Sequence, residues 1–226
     1  MAKTYSIAID GPAGAGKSTI ARRLAADLGF YYVDTGAIYR TVAYFLDLLG
    51  VSPKDADGVE RYLDELTIGI EYDEEGKQHM IMNGMDVSGE IRTQDISQKA
   101  SLVSAYPIVR EMLLDMQRDV ARKNNVIMDG RDIGTVVLPK ADVKIFLTAS
   151  VEVRAKRRYD ELIAKGQQAQ LPQIQKEIEQ RDYQDTHRPI APLKMARDSV
   201  KVDTSDMTIE EVTAAIRAIV AEKVGV

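Results

Sequence analysis

Cysteine and tryptophan are missing from the 226 residues, and histidine occurs only as His79 and His187. Without cysteine there can be no disulfide, thiolate metal site or cysteine nucleophile, which is compatible with a reducing compartment. Two histidines leave little from which to build a histidine-ligated metal centre. Long apolar runs are also absent. Ile7 to Ile9 is too short and too soon interrupted for a secretory signal, and no later stretch reaches the length of a membrane-spanning helix, so cytoplasmic residence is expected. Nor is there an excess of positive charge: 30 Lys and Arg stand against 35 Asp and Glu, a formal charge of -5. A broad polynucleotide-binding face needs the opposite balance, so no nucleic-acid partner is expected.

What remains is 45% apolar with seven prolines and few aromatics, the composition of a globular chain with a real core. The length suits one α/β domain carrying an insertion. Along the chain, short unbroken apolar segments alternate with amphipathic ones. Tyr5 to Asp10, Phe30 to Val33, Val126 to Asp129, Val143 to Leu147 and Val200 to Val202 read as buried strands. Between and after them, helices are predicted from Lys17 to Leu28, to about Leu49, from Pro107 to about Lys123, from Val151 to Lys165 and from Leu171 to about Thr186. Ser52-Pro53 reads as serine cap and first-turn proline of a further helix reaching about Leu66. Thr208 and Glu211 form a capping box that opens a last helix.

One region breaks the alternation. Ile68 to Tyr72, His79 to Met82 and Met85 to Val87 have a period of two, and Asn83-Gly84 is a hairpin turn, so a small antiparallel insertion is expected. The rest implies a mainly parallel sheet covered by helices on both faces, with ligands at the carboxyl ends of its strands.

At the first such end stands Gly11-Pro12-Ala13-Gly14-Ala15-Gly16-Lys17-Ser18, followed by Thr19. It fits G-x-x-x-x-G-K-[ST] in the required setting, after a strand and before a helix. The glycines allow successive backbone N–H groups to converge on phosphate, with the helix dipole behind them. Lys17 is expected at the β- and γ-phosphates of ATP and Ser18 on Mg²⁺, with Asp129 orienting that ion from its strand end. A solvated or capping strand-end carboxylate is the plainer alternative for Asp129. Arginines suited to clamping phosphate recur near these segments as Arg40, Arg131, Arg181 and Arg188. On spacing alone, Arg181, Asp182, Asp185 and Arg188, three or four residues apart, read as an ion-pair ladder on a helix surface.

GPAGAGKST from Gly11, DTGAIYR from Asp34, VSGEIRT from Val87, the segment Pro107 to Arg110, DGRDIGTVV from Asp129, KIFL from Lys144 and RD-x-x-D-x-x-R from Arg181 cover most of the chain. Together they resemble the bacterial cytidylate kinases, within the P-loop nucleoside monophosphate kinase family. The resemblance implies a P-loop fold with a helical lid at about 151–170, a core of 1–67 and 101–226, and an acceptor-binding insertion at 68–100. It implies transfer of the γ-phosphoryl group of ATP to CMP or dCMP by a monomer. Arg40, Arg131 and Arg188 would hold the acceptor's phosphate; Ser101, Arg110 and Asp132 would read the cytosine, with Thr35 nearby. Thr35 stands where the family often has serine, keeping the hydroxyl and adding a methyl. Arg181 and Asp185 would lie at the sugar. Arg154, Arg157 and Arg158 resemble lid arginines that close over ATP, with Arg157 favoured; a basic solvated helix face is the plainer reading. An N-K-x-D guanine motif, expected of a P-loop switch protein, is missing.

Overall fold

The computed structural model describes residues 3–225, so Met1 and Ala2 of the expected core range, and Val226, lie outside it. Five parallel strands form the central sheet in the order β2-β6-β1-β7-β8: β1 Ser6–Asp10, β2 Tyr31–Asp34, β6 Val126–Gly130, β7 Val143–Thr148 and β8 Val200–Asp203. A second sheet, β3 Ile68–Tyr72, β4 Gln78–Met82 and β5 Met85–Asp86, is antiparallel. Its hairpin turns at Asn83-Gly84, as the sequence predicts.

Both faces of the parallel sheet are buried, which accounts for the unbroken apolar strands. Ile7 and Ile9 of β1 pack with α1 Lys17–Leu28 and α8 Ile209–Val224, whereas Ala8 between them faces a core shared with α2 Thr35–Leu48, α4 Gln94–Val103 and α5 Pro107–Lys123. Met80, Met82, Val87 and Ile91, from β4 and the segment after β5, belong to that same core. The small sheet therefore packs on the main body and shares its apolar interior.

Two side chains tie the sheets together. Gln78 Oε1 accepts from the Asp34 N–H at 2.7 Å, and the Tyr72 hydroxyl donates to the Tyr32 carbonyl at 3.0 Å. α6 Val151–Ala164 and α7 Leu171–His187 form a helical hairpin, with Ala155, Ile174 and Ile178 buried between them. Among the described residues no helix is long and apolar enough to cross a membrane.

One helix starts later than Ser52-Pro53 suggests. α3 spans Ala56–Leu63 and is capped by Asp55, whose carboxylate accepts from Gly58 N–H at 3.1 Å. The Ser52 hydroxyl accepts instead from Lys54 N–H two residues on, closing a local turn, and a serine used in this way is not free to cap a helix. The capping box at Thr208 and Glu211 forms as the spacing predicts.

Candidate active site at the strand ends

Register brings Asp10 beside Gly130 and Asp34 beside Asp129, so the loops leaving β1, β2 and β6 start side by side. The first carries the glycine-rich motif. Gly11 has φ 150°, and a Cβ there would lie 1.9 Å from the Leu147 carbonyl oxygen of β7. Only glycine permits that exit from β1. Pro12, Ala13, Gly14 and Ala15 carry the chain round to Gly16, the left-handed cap of α1. The Thr19 and Ile20 N–H groups donate back to the Gly16 carbonyl.

Lys17 is buried, and its Nζ donates to the Pro12 carbonyl at 2.7 Å, arching over the loop. Burial, then the charge of Arg131, hold its ammonium well below the ordinary lysine value of 10.5. A polyanion in the loop would act the other way. Beside it, Ser18 Oγ donates to Asp129 Oδ2 at 2.9 Å and the Tyr32 hydroxyl donates to Asp129 Oδ1 at 2.8 Å. Burial, then nearby Asp34, raise the Asp129 carboxyl. A hydroxyl and a carboxylate this close are the oxygen donors that suit Mg²⁺.

The second loop begins α2. Asp34 caps the helix through Ala37 N–H at 2.8 Å and pairs with Arg40 at 3.0 Å, while Thr35 Oγ1 donates to the Asp129 carbonyl at 2.7 Å. Asp34 is thus the hub of the segment, itself held by Gln78.

The third loop, Asp129 to Asp132, meets arginines from distant helices. Asp132 lies buried between Arg110 of α5 and Arg188 at the end of α7, the latter at 3.4 Å. Burial outweighs both guanidinium groups and leaves the Asp132 carboxyl raised. Arg131 Nε donates to Asp185 Oδ2 at 2.7 Å; although burial works to raise it, Arg131 holds the Asp185 carboxyl below its ordinary value. Arg181 is half-buried beside Arg131, and its buried Nε has no hydrogen-bond partner among the described residues. Ser101 sits half-buried on α4, where its carbonyl accepts from Ser104 Oγ.

The surface-ladder reading of α7 does not hold. Asp182, Asp185 and Arg188 pair with Arg154, Arg131 and Asp132 respectively, all from other elements. Of the three arginines of α6, Arg154 reaches the glycine-rich loop: Nε donates to Ala149 O at 2.9 Å, one terminal nitrogen to Ala13 O at 3.0 Å, and the other to Asp182 Oδ2 at 2.6 Å. Arg157 donates to the Thr204 carbonyl at 2.6 Å and its hydroxyl at 3.1 Å, at the end of β8. Sequence reasoning left Tyr32, Gln78 and Asp10 without a role in the site. Only Asp10 had a local signal, as the carboxylate directly preceding Gly11.

A parallel sheet whose first strand feeds a glycine-rich phosphate cradle, faced by buried arginines, defines a P-loop phosphotransferase. The sequence profile of cytidylate kinases matches residues 7–222. A cytidylate kinase of Ligilactobacillus salivarius is 49% identical over 223 residues, 99% of either chain, and one of Carboxydothermus hydrogenoformans is 49% identical over 217 residues, 96% of this chain and 97% of that one. The chain belongs to the cytidylate kinase family. A solved structure of an uncharacterized protein from Eubacterium ventriosum shares the fold, with a TM-score of 0.52 at 13% identity over 96% of this chain and 98% of that one.

Proposed function

We propose that the chain transfers the γ-phosphoryl group of ATP to CMP and dCMP, releasing ADP and CDP or dCDP, as a cytoplasmic monomer. The observation that carries the acceptor assignment is Asp132 held against Arg110, one residue beyond Arg131. A carboxylate accepts from the exocyclic amine of cytosine, which uracil lacks, while a guanidinium suits the carbonyl side of the ring. Ser101 and Thr35 lie on the elements that face this pair.

The phosphate loop, Gly11 to Thr19, holds the donor's phosphates through backbone N–H groups, and Lys17 moves from Pro12 to the β- and γ-oxygens. Ser18 and Asp129 would hold Mg²⁺, which supplies charge neutralisation between those oxygens. On the acceptor side Arg40, Arg131 and Arg188 take the monophosphate, while Arg181 and Asp185 take the sugar and the nearby phosphate edge. The acceptor's phosphate oxygen is already anionic at neutral pH, so it attacks the γ-phosphorus in line without a dedicated base. The bond to the β,γ-bridging oxygen breaks and ADP leaves. The arginines stabilise charge on the equatorial oxygens during transfer.

The lid, 151–170 with Arg154 and Arg157, and the insertion, 68–100, close over the two substrates and exclude water. A cavity of about 830 Å³ lies between the small sheet, α1 and β2, lined by Arg22, Tyr32, Asp34, Gln78 and Arg92. ADP formation from Mg·ATP with CMP, dCMP, UMP, AMP, GMP or no acceptor tests the reading. CMP and dCMP should stimulate it strongly and UMP weakly; no stimulation by any monophosphate would leave only a nucleotide site.

A further inference from the structure

Asp10 is buried at the end of β1, immediately before the phosphate loop, yet neither of its oxygens faces that loop. Oδ1 accepts from the Ile133 N–H at 2.8 Å and Oδ2 from the Gly134 N–H at 2.7 Å. These are the first two N–H groups of a single wide helical turn, Ile133–Val137, which follows Asp132 directly. The first N–H groups of a helical turn have no partner within the turn. Here the cap comes from a strand more than 120 residues away, and Ile133, Gly134 and Asp10 are all buried, so water cannot replace it.

Both neighbours of this contact are fixed. Gly11 is pressed against the Leu147 carbonyl, and Gly134 packs against Lys144, where an added Cβ would meet Lys144 Cδ at 3.2 Å and Asp10 Oδ2 at 3.3 Å. One carboxylate therefore joins the start of the donor loop to the residue that follows the base-reading carboxylate. No other side chain among the described residues accepts from these two N–H groups.

We infer that Asp10 is a positioning residue for acceptor selection: by capping the turn at Ile133 and Gly134 it fixes where Asp132 stands relative to Arg110, and links that position to the phosphate loop. The inference rests on the acceptor reading above and deepens it. Both Asp10 oxygens are taken up by backbone N–H groups, so its effect passes through the turn that follows Asp132. Its side-chain amide analogue keeps the shape but turns an N–H₂ toward one of the two backbone donors, which loosens the turn without emptying space.

The test compares kcat/KM for CMP and UMP in the unaltered chain, Asp10→Asn, Gly134→Ala and Val220→Ala. Val220 is buried on α8, away from the site, and serves as a variant that loses stability by core truncation alone. Asp10→Asn and Gly134→Ala should each lower the CMP-to-UMP ratio by about tenfold, mostly through KM for CMP. Val220→Ala should lower the melting temperature with the ratio unchanged. If Asp10→Asn does not fold, Gly134→Ala, which disturbs the contact from the other side, decides. Variants that lose stability but keep the unaltered ratio overturn the inference. An unaltered chain with no preference for CMP overturns the acceptor reading, and the inference with it.

Discussion

The proposed donor and acceptor sides of the cleft are built from different materials. The donor side is backbone: one continuous loop, fixed by glycine geometry and one helix terminus, with Lys17 bridging to its own loop. The acceptor side is side chains. Arg110, Arg131 and Arg188 come from a helix, a strand end and a helix end, and each is already paired with a carboxylate, Asp132 or Asp185. A backbone cradle can receive phosphate with little rearrangement. A paired arginine must exchange one anion for another, so a carboxylate that is released has to find a new partner. The proposed cytosine amine for Asp132 and ribose hydroxyls for Asp185 would be those partners, which makes the swap selective.

Four changes would break or sharpen this contrast. Lys17→Ala should cost at least about a thousandfold in kcat, measured as ADP formation with saturating CMP, because charge on the transferring group loses its mobile cation. Its melting temperature should hold or rise, since the ammonium is buried at a cost in the free chain. That cost has a sign: with a native pKa below 10.5, stability should increase as pH rises from the depressed value toward 10.5, and Lys17→Ala should abolish that increase.

Asp132→Ala should leave Arg110 and Arg188 without their carboxylate partner, each keeping only a backbone carbonyl, costing about 3 kcal/mol in urea unfolding and blurring CMP against UMP. Gly11→Ala attacks the backbone side instead. The clash with the Leu147 carbonyl should cost at least about 2 kcal/mol and weaken ATP binding, seen by nucleotide titration, with the CMP-to-UMP ratio preserved.

The smallest effect belongs to the insertion. His79 lies between Asp86 at 2.7 Å and Asp73 at 3.1 Å, which raise its pKa above 6.5 in that order. Its stabilisation is full below 6.5 and is lost as pH rises through the native value. Unaltered chain and His79→Gln should therefore differ slightly in melting temperature at about pH 5.5 and coincide at about pH 9.

The same contrast explains how much could be read in advance. The phosphate loop is contiguous, so its chemistry is written in eight neighbouring residues, and the Thr208 capping box is equally local. Asp129 was ambiguous because its partners, Ser18 and Tyr32, lie about a hundred residues away. The α7 residues looked like a ladder because spacing reports only which side chains share a face, and what lies opposite that face is set by tertiary packing. Arg154 and Arg157 lie three apart on one helix, so periodicity gave no means of separating the arginine at Ala13 from the one at Thr204. Ser52 and Asp55 both carry capping oxygens; the choice between them was made by the turn at Lys54.

Gln78 has a consequence beyond the cleft. β2 is one of the two edge strands of the parallel sheet, and an edge strand offers unpaired backbone groups to any other chain that meets it. The Gln78 amide occupies both backbone groups of Asp34, its Nε2 reaching the carbonyl at 3.4 Å, and Tyr72 takes the Tyr32 carbonyl. The insertion thus blunts the border of the sheet against strand addition, so chains meeting at high concentration encounter side-chain amide and phenol there in place of an open template for aggregation.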